Sequence, residues 1–249
     1  MSNTPAPRDH LLETCKLCGD QAALVPRSHV VPQWMYAMLP VDQRRFRIAS
    51  TAAGEFEQRS QSGIYGRFVC QSCENLFSGW DTYAADVLRS PFTIGALGRE
   101  FGEYNYGHLV RFYLSILWRA SACGHRFFET VDIRGREAAL IAALRVTDDA
   151  SLSAFDVWPS YSNHELSLGL LTPIEVQIES VSYWQLYLPR FQALIKVVDQ
   201  PGASCVQPHK LLPDTPLRMK EKTFTEFGEV TNAAKVFKAN LEKKNACRR

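Results

Sequence analysis

Three short stretches decide how this chain folds: CKLCG at residues 15–19, SHVVP at 28–32 and CQSCE at 70–74. The first and the third each carry a Cys-x-x-Cys pair, a turn that points two thiolates at one ion. Gly19 follows the first pair and suits the tight backbone of such a turn. Two pairs together supply the four soft ligands of a tetrahedral structural zinc site. The alternative is four unrelated buried or redox-active cysteines. The predicted Zn²⁺ ligands are Cys15, Cys18, Cys70 and Cys73.

The middle stretch places one histidine, His29, at the end of an apolar strand between the two cysteine pairs. Glu74 directly follows the last cysteine and opens a predicted helix whose N-terminus faces His29. A neutral imidazole can take a proton from water, and a carboxylate can hold a divalent cation against a phosphodiester. The two residues therefore predict a one-metal hydrolytic site. The alternative for His29 is the hydrogen-bonded core histidine that is usual on an apolar strand.

In these features the chain resembles the HNH, or His-Me finger, endonucleases in their zinc-stapled, treble-clef form. The resemblance covers about the first third of the chain and implies a ββα finger in which His29 is the general base. Glu74 and Asn75 match the helix position where the family binds its catalytic ion, which implies Mg²⁺ or Mn²⁺. The chain departs from the family pattern at Ser28, where the family has a metal ligand, and at residues 63–69, which lack the central Asn. The chain also resembles uncharacterised prokaryotic proteins that share Ser-His-x-x-Pro and Cys-x-x-Cys-Glu, a resemblance that implies no activity.

Arginines accumulate between the two cysteine pairs. Only three acidic residues oppose them between positions 27 and 67. Arginine forks match phosphate oxygens, so this excess predicts contacts with DNA or RNA. A solvated polar loop is the alternative. The predicted nucleic-acid contacts are Arg27, Arg44, Arg45 and Arg47.

The remainder of the chain predicts an α+β body. Apolar periodicity indicates helices over 108–121 and 135–146. Alternating apolar and polar residues over 174–179 and 184–188, followed by a further strand-like segment over 191–198, indicate an antiparallel β-meander. A final helix is predicted over 225–244.

The predicted organisation is a zinc-stapled finger over residues 1–88 packed on a helical and β-meander body over 89–249, with one continuous domain as the alternative. The connection from His29 to Cys70 is longer than in a minimal finger, so we expect an inserted element there.

Composition bounds the class of protein. The chain has 249 residues, of which 46% are hydrophobic and 22% charged, which is typical of a globular protein. Its odd number of cysteines and the lack of a signal-like apolar segment near Met1 favour a reducing, cytoplasmic location. The apolar helix at 108–121 is too short to span a membrane, so no membrane association is expected.

Three functional hypotheses follow from these observations. The first is a metal-dependent endonuclease that hydrolyses phosphodiester bonds in DNA or RNA. The second is a catalytically degenerate zinc finger that binds nucleic acid or a protein partner, because Ser28 and the missing Asn break the family pattern. A third is an interaction subunit of a larger assembly, which the many aromatic residues outside the finger suggest.

Overall fold

The computed structural model describes residues 12–38, 63–133, 135–162 and 170–222, together with two strands at 46–49 and 58–60. Within this part the protein is α+β, as predicted. The helices are α1 (Gln33–Ala37), α2 (Gln71–Leu88), α3 (Tyr106–Ala122) and α4 (Glu137–Arg145). The strands are β1 (Glu13–Thr14), β2 (Gln21–Ala22), β3 (Ser28–His29), β4 (Phe46–Ala49), β5 (Gln58–Ser60), β6 (Tyr65–Gly66), β7 (Thr93–Gly95), β8 (Gly98–Glu100), β9 (Asp156–Tyr161), β10 (Leu170–Ile178), β11 (Val181–Leu188), β12 (Phe191–Lys196) and β13 (Arg218–Glu221).

Nine of the described strands form one mixed sheet in the order β5-β4-β10-β11-β12-β9-β13-β8-β7. Its centre contains the predicted meander, in which β10, β11 and β12 pair antiparallel. Strand β9, which the meander prediction did not include, pairs antiparallel with β12. Two pairs are parallel: β4 with β10, and β13 with β9. The sheet therefore gathers strands from both ends of the described chain.

Side chains alternate between the two faces of the sheet, as they must in any strand. Phe191, Ala193 and Ile195 of β12 point to one face and join the main hydrophobic core, which also contains most of the buried side chains of α3. The other face carries a smaller apolar cluster that includes Trp158 and Leu194. A turn of 3₁₀ helix at Ser204–His209 packs near this second face, against β9 and β13.

Helix α3 is buried around most of its circumference, as its continuous apolar pattern predicts. The two arginines within it are buried as well and needed partners. Arg111 donates to Asp149 at 2.8 Å and to the main-chain oxygens of Ala143 and Asp148. Arg119 has its partners on α2 and β3, described below. Each of these buried arginines therefore forms an ion pair with a carboxylate.

The strands nearest the cysteines form two small pairs. Strands β1 and β2 make a hairpin, and β3 pairs antiparallel with β6 immediately before α2. The expected insertion is present between β3 and β6. It contains α1 and the strands β4 and β5, which extend the large sheet beyond β10. One cluster of buried side chains runs from Cys15 to Met219, so the two predicted segments share a core.

The predicted C-terminal helix over 225–244 lies outside the described residues. Within the described part, none of the helices combines the length and the apolar composition that crossing a bilayer requires.

Candidate metal centre and the adjoining cleft

The side chains of the four predicted zinc ligands lie close together. The sulfur atoms of Cys15, Cys18, Cys70 and Cys73 all lie within 4.8 Å of one another. Sγ of Cys15 is 3.7 Å from that of Cys73, and Sγ of Cys18 is 3.8 Å from that of Cys70. These separations are too long for disulfides, whose sulfurs lie about 2 Å apart. Metal–sulfur bonds of about 2.3 Å in a tetrahedral zinc site place the sulfurs about 3.8 Å apart. The four cysteines are therefore placed to hold a metal ion such as zinc.

Local sequence explains how the cluster forms. Gly19 has φ of +83°, a left-handed conformation that glycine adopts without a steric penalty. Its N–H donates to the carbonyl of Cys15 at 2.8 Å, which closes the first knuckle. Cys70 is the N-terminal cap of α2, so Cys73 lies in the first turn of that helix. The N–H of Cys70 points at Sγ of Cys15 at 3.3 Å and joins the two knuckles.

The thiols differ in their electrostatics. Burial raises the pKa of Cys15, but the N–H groups of Cys18, Cys70 and Leu17 outweigh it and bring the pKa down to about 7. Burial raises the pKa of Cys18 to about 11 and also raises the pKa of Cys73. A bound cation would favour the thiolate form of every one of these side chains.

Beside the cysteine cluster lies a cleft of about 340 Å³ between β3, α1 and α2. His29 and Glu74, the two residues predicted to carry the chemistry, both line it. Asp81, which shares a helical face with Glu74, lines it too. The other polar or aromatic residues of its wall are Gln33, Trp34, Ser78, Thr82, Asp86 and Arg89.

The imidazole of His29 is half-buried, and its Nε2 atom has no hydrogen-bond partner among the described residues. Its ring packs on Tyr65 of β6 with the centroids 4.5 Å apart. Burial lowers the pKa of His29 below its ordinary value, and the negative charge of Glu74 opposes that shift. Burial thus favours the neutral form of the imidazole, and the Nε2 atom that lacks a partner among the described residues is itself buried.

The Glu74 carboxylate is held by the residue next to His29. Ser28 is completely buried, and its hydroxyl donates to Oε2 of Glu74 at 2.5 Å. Glu74 also lies in the first turn of α2, where the helix dipole favours a negative charge. A serine at position 28 thus orients the carboxylate across the space between β3 and α2.

Arg119 connects the three elements around the cleft. Its guanidinium donates to both carboxylate oxygens of Asp81 at 2.8 and 2.9 Å, and to the main-chain oxygen of His29 at 3.2 Å. It also donates to the Ser115 side chain on its own helix. Only 1% of the Arg119 side chain is exposed. Asp81 is therefore engaged in a structural ion pair that fixes β3 against α2 and α3.

The remaining predicted site residues are distributed differently. Asn75 is exposed on α2, accepts a hydrogen bond from the side chain of Gln71 at 2.8 Å, and is not among the residues that line the cleft. Arg27 is exposed and lies over the Tyr65 ring at 4.1 Å, on the ring that also contacts His29. Arg47 belongs to β4. Arg44 and Arg45 lie outside the described residues.

Sequence reasoning missed part of the cleft wall. Thr82, Asp86 and Arg89 follow Glu74 and Asp81 at helical spacing, so the period of α2 was a signal that could have found them. Trp34 reaches the cleft from the inserted α1, and no local pattern predicts that approach.

Among the described residues, the four cysteines are the only group of three or more Cys, His, Asp or Glu side chains close enough to hold one ion. Comparison of the chain with protein-family models, with curated proteins and with solved structures gives no match.

Proposed function

We propose that this protein is a metal-dependent, HNH-like endonuclease that hydrolyses phosphodiester bonds in DNA or RNA. The observation that carries the proposal is the meeting of the His29 imidazole and the Glu74 carboxylate in one cleft. They come from a strand pair and the helix that follows it, with four clustered cysteines at the start of that helix. A zinc-stapled ββα finger has this order of elements.

Zinc at the four cysteines acts structurally in this proposal. Four thiolates complete a tetrahedral shell and leave no open position for substrate, so this ion holds the knuckles together. The exchangeable ion, Mg²⁺ or Mn²⁺, binds at Glu74, whose second carboxylate oxygen is not used by Ser28. Mg²⁺ retains several waters and commonly takes only one or two protein carboxylates, which fits this sparse donor set. When bound, such an ion neutralises charge that develops on the scissile phosphate.

His29 removes the proton from the attacking water. Its burial lowers its pKa and so favours the neutral imidazole, and Nε2, which is buried, has no hydrogen-bond partner among the described residues. In this proposal a water that enters the cleft reaches Nε2 and gives up its proton to it. Arg119 and Tyr65 hold the backbone and the ring of His29 in place. Arg27 lies over the ring of Tyr65, and Arg89 lines the cleft. Both side chains supply positive charge for phosphates that flank the scissile bond.

A second candidate is a zinc-dependent module that binds nucleic acid or a protein without cutting. A specific observation favours it: Asp81, the carboxylate nearest in helical spacing to Glu74 on the cleft side, is already neutralised by Arg119. Among the described residues, Glu74 therefore belongs to no cluster of three or more Cys, His, Asp or Glu side chains that could hold one ion. The two candidates differ in their need for an exchangeable ion.

Cleavage of supercoiled plasmid and of single-stranded DNA and RNA distinguishes the candidates. The zinc-loaded protein is assayed with and without added Mg²⁺ or Mn²⁺, beside His29→Ala and the matched control His108→Ala, which alters an exposed histidine of α3 outside the cleft. Cleavage that requires the added ion, disappears in His29→Ala and persists in His108→Ala is the expected result. Full activity of His29→Ala removes His29 from the mechanism. Binding without cleavage favours the second candidate.

A further inference from the structure

Exposed apolar side chains surround the last strand of the large sheet. Among the described residues, β7 ends the sheet and forms a hairpin with β8. Ile94 of β7 is 69% exposed, and Phe92 and Leu97, on either side of this strand, are each 41% exposed. Arg99, the residue paired with Ile94, lies over the Phe92 ring at 4.0 Å, so Phe92 and Ile94 share one face of the hairpin. We call Phe92, Ile94 and Leu97 the hairpin patch.

The hairpin patch continues the core-facing side of the sheet. Met219 of β13, Arg99 of β8 and Ile94 of β7 lie opposite one another in the register of the three strands, and directly opposite residues point to the same face. Met219 is fully buried in the main core, Arg99 is 6% exposed, and Ile94 is 69% exposed. Core-facing apolar residues of a sheet normally pack against a second layer. A further element is therefore expected over Ile94.

The chain has a segment of matching character directly after β13. Residues 223–249 follow Lys222, the last described residue, and a helix is predicted over 225–244. A stripe of this kind makes a helix stable only when it packs on an apolar surface. The apolar residues of the predicted helix recur every three or four positions and form one stripe: Phe227, Val230, Ala234, Phe237 and Leu241.

Strand β13 brings the start of this segment to the hairpin patch. β13 runs antiparallel to β8, with Met219 opposite Arg99, so its end at Glu221 lies level with the turn between β7 and β8. The backbones are close there, because a Cβ on Gly98 would meet the carbonyl oxygen of Met219. The segment therefore begins beside Leu97, at one end of the hairpin patch.

The dimensions of the stripe and the hairpin patch agree. From Phe227 to Leu241 a helix rises about 21 Å. The extended chain from Phe92 to Leu97 spans at most about 17 Å. One helix that lies along the hairpin therefore covers the whole patch. Only a few residues connect β13 to this helix, and such a short tether gives an effective concentration in the millimolar range, which favours the chain's own helix over that of a second copy.

We propose that residues 225–244 form a helix that packs, within the same chain, on the hairpin patch. Its stripe contacts Phe92, Ile94 and Leu97 and extends the helical layer to the last strand of the sheet. This docking is independent of the endonuclease proposal, because none of the three patch residues lines the His29 cleft.

Limited digestion of the zinc-loaded protein with trypsin tests the docking. Lys235 and Lys238 are cleavage sites within the predicted helix. We expect cleavage there to be about tenfold or more faster in Ile94→Asp, because the cut chain is drawn from the undocked state and burial of the isoleucine opposes undocking. The matched control Leu12→Asp puts the same charge on another apolar side chain, which is 65% exposed and outside the hairpin, and should leave the rate unchanged.

A reciprocal variant examines the same contact from the helix. The methyl NMR signal of Ile94, assigned with Ile94→Val, should move in Phe237→Asp. It should stay in place in Ala239→Asp, which alters the side of the predicted helix opposite the stripe. This readout leaves the hairpin itself unchanged, so it also decides the case in which Ile94→Asp disturbs the local fold.

Three results overturn the proposal. The first is digestion of Ile94→Asp at the same rate as the wild type or as Leu12→Asp. The second is an Ile94 methyl signal that Phe237→Asp does not move. The third is protection of Lys235 that increases with protein concentration, together with dimers in sedimentation experiments, which shows that the helix packs on a second copy.

Discussion

Replacing Arg119 by methionine is expected to be among the most damaging single substitutions near the cleft. The change keeps much of the apolar stem and removes a guanidinium that makes two hydrogen bonds with Asp81 and one with the carbonyl of His29. Breaking a buried ion pair by removing one partner costs about 3–5 kcal/mol, because the other charge is left buried and unpaired. Asp81 is 16% exposed, so water compensates part of that loss.

We therefore expect a cost at the lower end, about 3 kcal/mol, which lowers the melting temperature by roughly 6–12 °C for a chain of this size. Urea unfolding of the wild type, Arg119→Met, Asp81→Asn and the double variant gives a double-mutant cycle. Because the two side chains act as a pair, the double variant should cost clearly less than the sum of the singles. A cost below about 1 kcal/mol for Arg119→Met, the level of an exposed pair, would refute this reasoning.

Three further predictions concern other parts of the molecule. Cys70→Ser should lose the bound zinc and much of its stability, as judged by metal analysis and thermal unfolding, whereas Cys123→Ser, outside the cluster, should keep one zinc per chain. Ser28→Ala removes the hydroxyl that holds Glu74, so a titration of cleavage with Mg²⁺ should require more ion, and unchanged Mg²⁺ dependence would contradict the assigned contact. Burial lowers the pKa of His209 below 6.5, so below that pH the unfolded chain binds the proton more readily and stability falls as pH falls; urea unfolding at several pH values should show a smaller fall in His209→Gln.

Local sequence patterns predicted the structural features that depend on residues close together in the chain. The spacing of the cysteines predicted both knuckles, and the φ of +83° at Gly19 confirms the reason for a glycine there. The apolar period predicted α3 and α4, because helical contacts lie three or four residues apart. The alternation over 174–179 and 184–188, with the strand-like segment over 191–198, predicted the meander, whose neighbouring strands follow one another along the chain.

Contacts between residues far apart in the sequence could not be predicted from such patterns. Asp81 shares a helical face with Glu74, but helical spacing could not reveal that Arg119, 38 residues away, neutralises it. Similarly, no repeat or motif in the sequence predicts that β4 pairs in parallel with β10, which lies more than a hundred residues later in the chain. Gln185 and Gln192 are polar residues between apolar neighbours, as on a solvated strand face, yet the side chains of both are buried.

The insertion between β3 and β6 has a thermodynamic consequence. The chain leaves the metal centre after β3, contributes β4 and β5 to the edge of the large sheet, and returns through β6 to the second pair of cysteines. The insertion between β3 and β6 is therefore fixed at both ends by the cysteine cluster and in its middle by the sheet. If the cysteines separate, both ends of the insertion lose that constraint. A chelator that removes the ion should then lower the cooperativity of unfolding throughout the protein. A fragment that ends at residue 88 would keep the β4–β5 pair but lose β10, the strand that joins this pair to the rest of the sheet.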